Sequence, residues 1–171
     1  MKDYDVEIAI QKQILMQLKE VGIEIPVKAG FPSIKQDRED NMVVFFPINE
    51  HGHGWQSRTY HVQGNKAGHQ EHQLSEKTYQ VQVFVTQIEH YTSTDIAAIV
   101  RMIVNSLPFA TTLRKQGIGV QRATSVRQPY SVNEHGDYEQ NPSFDFNVTF
   151  KRSLFPDTAA ISALYPDIHR I

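Results

Sequence analysis

Residues 51–72 read HGHGWQSRTYHVQGNKAGHQEH and hold five of the chain's eight histidines: His51, His53, His61, His69 and His72. Imidazole nitrogens bind metals and carry protons near neutral pH, so the first chemistry to test is a metal-dependent hydrolase. A catalytic zinc site wants three N or O donors in fixed geometry, commonly two on one helical turn and a distant third. The spacings here are 2, 8, 8 and 3. His69 and His72 are spaced for one helical turn, but Gly64, Asn65 and Gly68 oppose a helix there. His51 and His53 would point the same way on a strand, while Gly52 and Gly54 read as a loop. The stretch therefore reads as polar loop ends flanking a strand, with His61 on its solvent face. A pH-sensitive contact with a partner subunit is the functional version of that reading, and a metal site on the five histidines is the alternative.

Other chemical templates fail. The chain has no cysteine, which excludes disulfides, thiolate zinc sites and cysteine nucleophiles. No G-x-x-x-x-G-K-[ST], H-E-x-x-H or G-x-S-x-G is present, and no G-x-G-x-x-G follows a strand. GIGV at 117–120 precedes a strand and reads as a helix stop. Asp137, Glu139 and Asp145 lie near one hairpin with no base or nucleophile beside them, and read as solvated turn residues. Arg114, Lys115, Arg122 and Arg127 suit acidic groups of a neighbour better than phosphates. No cofactor is implied, and the sequence reads as a non-enzyme.

The elements that would position these residues come from periodicity. Val6, Ile10, Ile14, Leu18 and Val21 recur at three- and four-residue intervals and predict a helix over 5–21, with Asp3 or Asp5 at its start and Gly22 at its stop. IEIPVKAGFPS predicts an edge strand and loop, and NMVVFFPI (41–48) a strand buried on both faces. WQSRTYHV predicts another strand, followed by a polar turn in GNKAGHQEHQ. KTYQVQVFVTQI (77–88) alternates with period two. TSTDIAAIVRMIVNSL predicts a second helix, capped by Thr92 or Ser93, with Leu107 on its apolar face and Pro108 at its end. A short helical turn follows at ATTLRKQ. IGVQRATSVRQPY (118–130) and SFDFNVTFKR (143–152) alternate again, joined by the polar connection SVNEHGDYEQNP.

The order α-β-β-β-α-β-β predicts an α+β fold, an antiparallel or mixed sheet with two main helices packed on one face. Residues 1–152 form one domain, and 153–171, with Pro156 and Pro166, a C-terminal arm. The net charge of −2 argues against tight gripping of nucleic acid, and no run approaches a membrane span or a signal peptide. A protein made and used in a cytosol is expected. One wet sheet face and a long arm suggest an assembly protein.

TYQVQVFVTQ, TSTDIAAIVRMIVNS and LRKQGIGVQRATSVRQPYSVNEHGDYEQNPSFDFNVTF resemble the neck or tail terminator (gateway) proteins of tailed bacteriophages. The family pattern is a T-x-x-DI helix, then L-R-x-x-GIGV-x-R-x-T-x-V-R-x-PY, a polar turn and a PSFD strand. The resemblance covers residues 77–150. It implies a structural virion protein of the tail or neck, assembled in the host cytoplasm. It further implies a homo-oligomeric ring, usually sixfold, that caps the tail tube and joins the neck connector, with DNA passing through the lumen without tight binding. Tube, connector and sheath are the implied partners. The loop 50–73 and the arm from Ser153 to Ile171 are expected to touch neighbours, with Arg114, Arg122, Arg127, Tyr130, Phe155, Leu164 and Tyr165 as interface candidates. Glu134, Asp137 and Glu139 are the lumen candidates. A stopper or head-completion ring is the nearest alternative.

Overall fold

A computed structural model describes residues 1–30, 41–63, 66–85, 88, 90–132 and 138–154. The helix read from the first apolar stripe is α1 (Asp3–Glu20), and it buries Val6, Ile10, Ile14 and Leu18. Asp5 accepts from the Lys2 backbone N–H at 3.1 Å, satisfying an orphan donor at the helix start. The stop is Gly22, at φ +79°, a left-handed conformation that costs glycine nothing. Around it Ile23 N–H reaches the Leu18 carbonyl (3.0 Å) and Gly22 N–H that of Lys19 (3.1 Å), closing the end as a Schellman motif. Val21, the C-cap residue between α1 and that glycine, is exposed rather than on the buried stripe.

The second helix, α2 (Ser93–Val104), opens with a capping box: Asp95 N–H donates to Thr92 Oγ1 (3.3 Å) and Thr92 N–H to Asp95 Oδ2 (2.9 Å). It stops at Val104, before Pro108. That proline sits in the first turn of α3 (Leu107–Lys115), where no N–H is needed, and Ser106 caps the new helix. The chain turns before Leu107, which is consequently 78% exposed instead of on the α2 apolar face.

Among the described residues seven strands accompany the helices: β1 (Val27–Ala29), β2 (Asn41–Gln63), β3 (Lys66–Val85), β4 (Ile118–Val120), β5 (Tyr130–Val132), β6 (Tyr138–Gln140) and β7 (Ser143–Leu154). Five form a mixed sheet in the order β1-β2-β3-β7-β4, with β1 parallel to β2 and the other pairs antiparallel. β5 and β6 make a separate hairpin. The helices cover one sheet face. There Val43, Phe45, Tyr79, Val81, Val83, Phe144, Phe146, Val148 and Phe150 meet Ile10, Ile14, Leu18, Ile96, Val100, Phe109 and Leu113. Tyr79 is central, edge-on to Phe45 (5.8 Å) and stacked on Phe146 (5.9 Å). On the reverse face Met42, Val44 and Phe46 form a second small buried cluster with Phe84, so the run expected over 41–48 is buried on both faces from Met42 to Phe46, while Ile48 is exposed.

Two strands differ from their sequence reading. The alternation at 118–130 gives only three residues of regular strand. Past Val120 the chain still follows β7, through Gln121 N–H to Asn147 O, Thr124 N–H to Asp145 O, and paired bonds between Arg127 and Ser143. Steps of two residues on β7 are matched by steps of three opposite, so every repeat is bulged and no ladder forms. The second difference is larger. The segment 55–62 is no separate strand and most of 64–73 is no turn: β2 runs unbroken to Gln63, and β3 begins at Lys66. β7 pairs with β3 only as far as Glu71, opposite Leu154, so beyond that point, among the described residues, Ser57–Gln63 and Lys66–Gln70 pair only with each other as a two-stranded ribbon; the β2–β3 stretch outward from Glu50 and Lys77, with the ribbon itself, is the ribbon arm, or simply the ribbon. Register shifts at 47/49 and 53/57 interrupt the β2–β3 ladder on the way to it, and Gly54, at φ +70°, lies within the second. β7 also continues through Ser153 and Leu154, two residues into the expected arm; the remainder of that arm lies outside the described residues.

Candidate assembly surface

The ribbon is where the sequence placed its candidate chemistry. Every residue from His51 to Tyr60 is exposed, and Trp55 is 99% exposed. His51, His53 and His72 each meet a different group. His53 Nε2 lies 2.8 Å from Glu76 Oε2, His51 Nε2 lies 2.8 Å from Asn49 Nδ2, and His72 Nδ1 lies 2.9 Å from Ser153 Oγ. His61 and His69 take part in the β2–β3 ladder, opposite Gly68 and Tyr60. Among the described residues no three His, Asp or Glu side chains come together as metal ligands. Cross-strand pairs use the ribbon's polar groups instead: Arg58 Nε meets Glu71 at 2.8 Å, and Glu76 also accepts from Asn147 Nδ2 at 2.6 Å. The His53 hydrogen bond, then that of Asn147, holds the Glu76 carboxyl below its ordinary range.

The ribbon is rooted by charge. Lys77, only 5% exposed, places its ammonium 3.0 Å from Asp3 and 3.3 Å from Glu50. Arg152 joins the same carboxylates, 2.6 Å from each, and its guanidinium lies 5.2 Å over the Phe150 ring. Two cations and two carboxylates thus tie the start of α1 to β2, β3 and β7 at the base of the stretch that leads into the ribbon. Burial pushes the neighbouring Glu7 carboxyl up. Burial, and then the carboxylates of Glu7, Asp3 and Glu50, push the Tyr79 hydroxyl far above its usual value, so it stays protonated. No short motif marks this network, since its members are up to 149 residues apart.

The expected interface residues are scattered. Arg114 and Arg122 are exposed, the first at the end of α3 and the second past β4, where Arg122 and Arg101 line a cleft of about 460 Å³. Arg127 finds its acidic partner in its own chain, Asp145, at 2.5 Å. Asp145 is thereby a paired group rather than a solvated turn residue. Tyr130 and Glu139 lie in the β5–β6 hairpin, Tyr130 opposite Gln140 and Glu139 opposite Ser131. Phe155, Leu164, Tyr165, Glu134 and Asp137 lie outside the described residues. The sequence marks Trp55 only as a strand former within the stretch 50–73 expected to touch neighbours; that it is the most exposed large apolar side chain among the described residues is visible only in the fold. No single helix among the described residues is long and apolar enough to cross a membrane.

The described residues thus form a mixed sheet with helices on one face and a two-stranded ribbon extending from it. Residues 5–160 match the family described as E217 gateway protein gp29. The chain belongs to that family, in agreement with the resemblance seen in its second half. The fold is also similar to a solved structure, the sheath/tube terminator of an extracellular contractile injection system, PVC, in its extended state. The TM-score is 0.59 at 15% identity, over the whole of this chain and 64% of the other. The chain thus spans somewhat less than two thirds of that neighbour's length. No curated protein sequence matches.

Proposed function

We propose that the chain is a non-enzymatic tail terminator of a phage particle, whose copies close into a ring on the end of the tail tube. The observation that carries this is the family match over 5–160, which takes in both the folded body and the ribbon. The similarity of fold to a sheath/tube terminator supports the same role and makes tube and sheath proteins partners to test. The ring is sixfold, joins the tube to the neck connector and passes DNA through its lumen. A net charge of −2, with Arg58, Lys77, Arg127 and Arg152 already paired to carboxylates, suits a channel in which DNA slides without sticking. A closed ring needs two different faces on each copy. Arg114, Arg122, Arg127, Tyr130, Phe155, Leu164 and Tyr165 are the proposed neighbour contacts, and Glu134, Asp137 and Glu139 the proposed lumen groups. Assembly takes place in the host cytoplasm, and the site of action is the virion neck.

The test is the mass of the purified protein across concentration, alone and with tail tubes, with zinc measured on the same sample. A species near six copies, or a monomer that rings up only on tube ends, with no zinc, is expected. A monomer that ignores tubes and carries one tight zinc overturns the reading.

A further inference from the structure

We infer that the cleft between α2, α3 and the segment leaving β4 is a carboxylate-binding site, and that Arg101 and Arg122 there hold an acidic side chain of a second copy of this chain. The inference rests on the ring reading and names a receiving face that such a ring requires.

Charge is distributed unevenly along the sequence. Residues 96–133 carry five cations, Arg101, Arg114, Lys115, Arg122 and Arg127, and not one Asp or Glu. Elsewhere the chain's remaining twelve Lys and Arg stand against all nineteen of its Asp and Glu. The fold gathers part of the basic run. Arg101 and Asn105, one turn apart on α2, and Arg122 beyond β4 line a cleft of about 460 Å³ together with Val104, Ala110 and Val120. Arg114 is exposed one turn past Ala110 on α3 and extends the basic wall. No carboxylate is among the described residues that line the cleft.

The donors here are not satisfied by their own chain. Of the five cations, Arg127 has its partner in Asp145. Arg101 Nε, by contrast, is buried and has no hydrogen-bond partner among the described residues. A buried donor left unpaired destabilises its own chain, so its presence calls for a partner from outside. Asn105 accepts from the Ala123 N–H through Oδ1 at 2.9 Å, which leaves its NH2 group to donate. The cleft thus offers donors from three side chains beside apolar ones, where a charge-assisted bond is stronger than in open water.

The chemistry of the occupant follows from these donors. A planar guanidinium matches a carboxylate through two parallel N–H···O bonds. Phosphate suits arginine too, but gripping DNA takes many cations and the chain's net charge is −2. A second copy is the acidic partner that charge favours, since outside 96–133 its carboxylates outnumber its cations nineteen to twelve. Basic cleft and acidic remainder are different parts of one surface. Their contact is heterologous, the kind that closes rings.

Carbodiimide chemistry joins an amine to a carboxylate it touches and leaves arginine unreacted, so Arg101→Lys and Arg122→Lys turn the cleft into a probe. In the assembled protein, a peptide linking position 101 or 122 to an Asp or Glu of another copy is expected, in a product of twice the chain mass. Arg101→Met should weaken self-association, measured by sedimentation alone or on tail tubes, roughly ten- to hundredfold. Its unfolding midpoint should be no lower than that of the wild type, because the lost donor had no partner. Lys12→Met, which removes an exposed cation from α1, should change assembly less than about twofold. If the wild type assembles and Arg101→Met assembles equally well, or if positions 101 and 122 link only to a tube protein or to nothing, this contact is wrong and the ring reading survives. The contact is equally wrong if Arg101→Met unfolds well below the wild type, or if it loses binding to duplex DNA while still assembling. If the wild type stays monomeric with and without tubes, both readings fall.

Discussion

β2 contains two strands of opposite character. Met42 to Phe46 are buried on both sides, Val43 and Phe45 under the helices and Met42, Val44 and Phe46 on the reverse face. Five residues on, His51 to Tyr60 are exposed on both sides. The backbone pairing with β3 is continuous in kind through both, apart from the two register shifts. The difference teaches that hydrogen bonding fixes the strand, while burial decides which side chains the fold depends on. The body half is constrained by stability and the ribbon half is free to be shaped by a partner.

The largest expected effect lies in the body. Phe45 is fully buried against Tyr79, so Phe45→Ala should cost about 3–5 kcal/mol through lost burial and the cavity left behind. Chemical denaturation measures it directly. A loss below about 1 kcal/mol, the range of ordinary substitutions, would break the contrast between the two halves. The second effect lies at the root. Lys77→Ala leaves Asp3 and Glu50 facing each other with Arg152 as their one remaining cation in the network. Removing one partner of a buried pair costs about 3–5 kcal/mol, but both carboxylates here are a third or more exposed, which brings the expectation down to about 2 kcal/mol. Amide exchange should show the loss concentrated at the ribbon's base and in the first turn of α1. Uniform loosening across the sheet would mean that the network supports the whole core rather than the root.

The third effect is smaller and belongs to the ribbon proper. Arg58→Ala breaks an exposed cross-strand ion pair with Glu71, for which about 0.5 kcal/mol is expected, vanishing at high salt. Thermal unfolding in low and high salt measures it. A loss as large as that at Lys77 would show that the ribbon carries the fold after all.

Much of the body was legible in the sequence because one face of each element is buried. Ile10, Ile14 and Leu18 at helical spacing, and Phe144, Phe146, Val148 and Phe150 at strand spacing, each state their burial in their period. The ribbon was illegible as a ribbon for the same reason. Exposed on both faces from His51 to Tyr60, it needs no alternation there, so Gly52, Gly54, Gly68 and the histidines other than His61 read as loop. The bulged course of 121–127 was hidden too, since three residues against two on β7 leave no simple period. The Arg127–Asp145 pair depends on that bulged register, which is why an acidic partner was expected on a neighbour and not within the chain. The root network was out of reach because sequence carries no sign that Asp3, Glu50, Lys77 and Arg152 converge.

The smallest effect is the one that places a pH limit on the ribbon. Glu76 accepts from His53 across the strands and from Asn147 on β7, so it links the ribbon to the body. Those bonds favour the carboxylate and hold its folded pKa below the ordinary 4.5. A group whose pKa is depressed on folding contributes its full stabilisation above the unfolded value, and loses it as the pH falls through the folded one. The advantage of the wild type over Glu76→Gln should therefore be constant above 4.5 and shrink on further acidification. Amide exchange at Ser57 and His72, compared between the two proteins along that pH series, reads the ribbon locally. A gap that does not narrow in acid would mean that packing of the side chain, and not its charge, joins ribbon to body. A gap that narrows equally in a His53→Ala background would assign the link to Asn147 alone, and would leave the ribbon tied to the sheet through β7 rather than across its own strands.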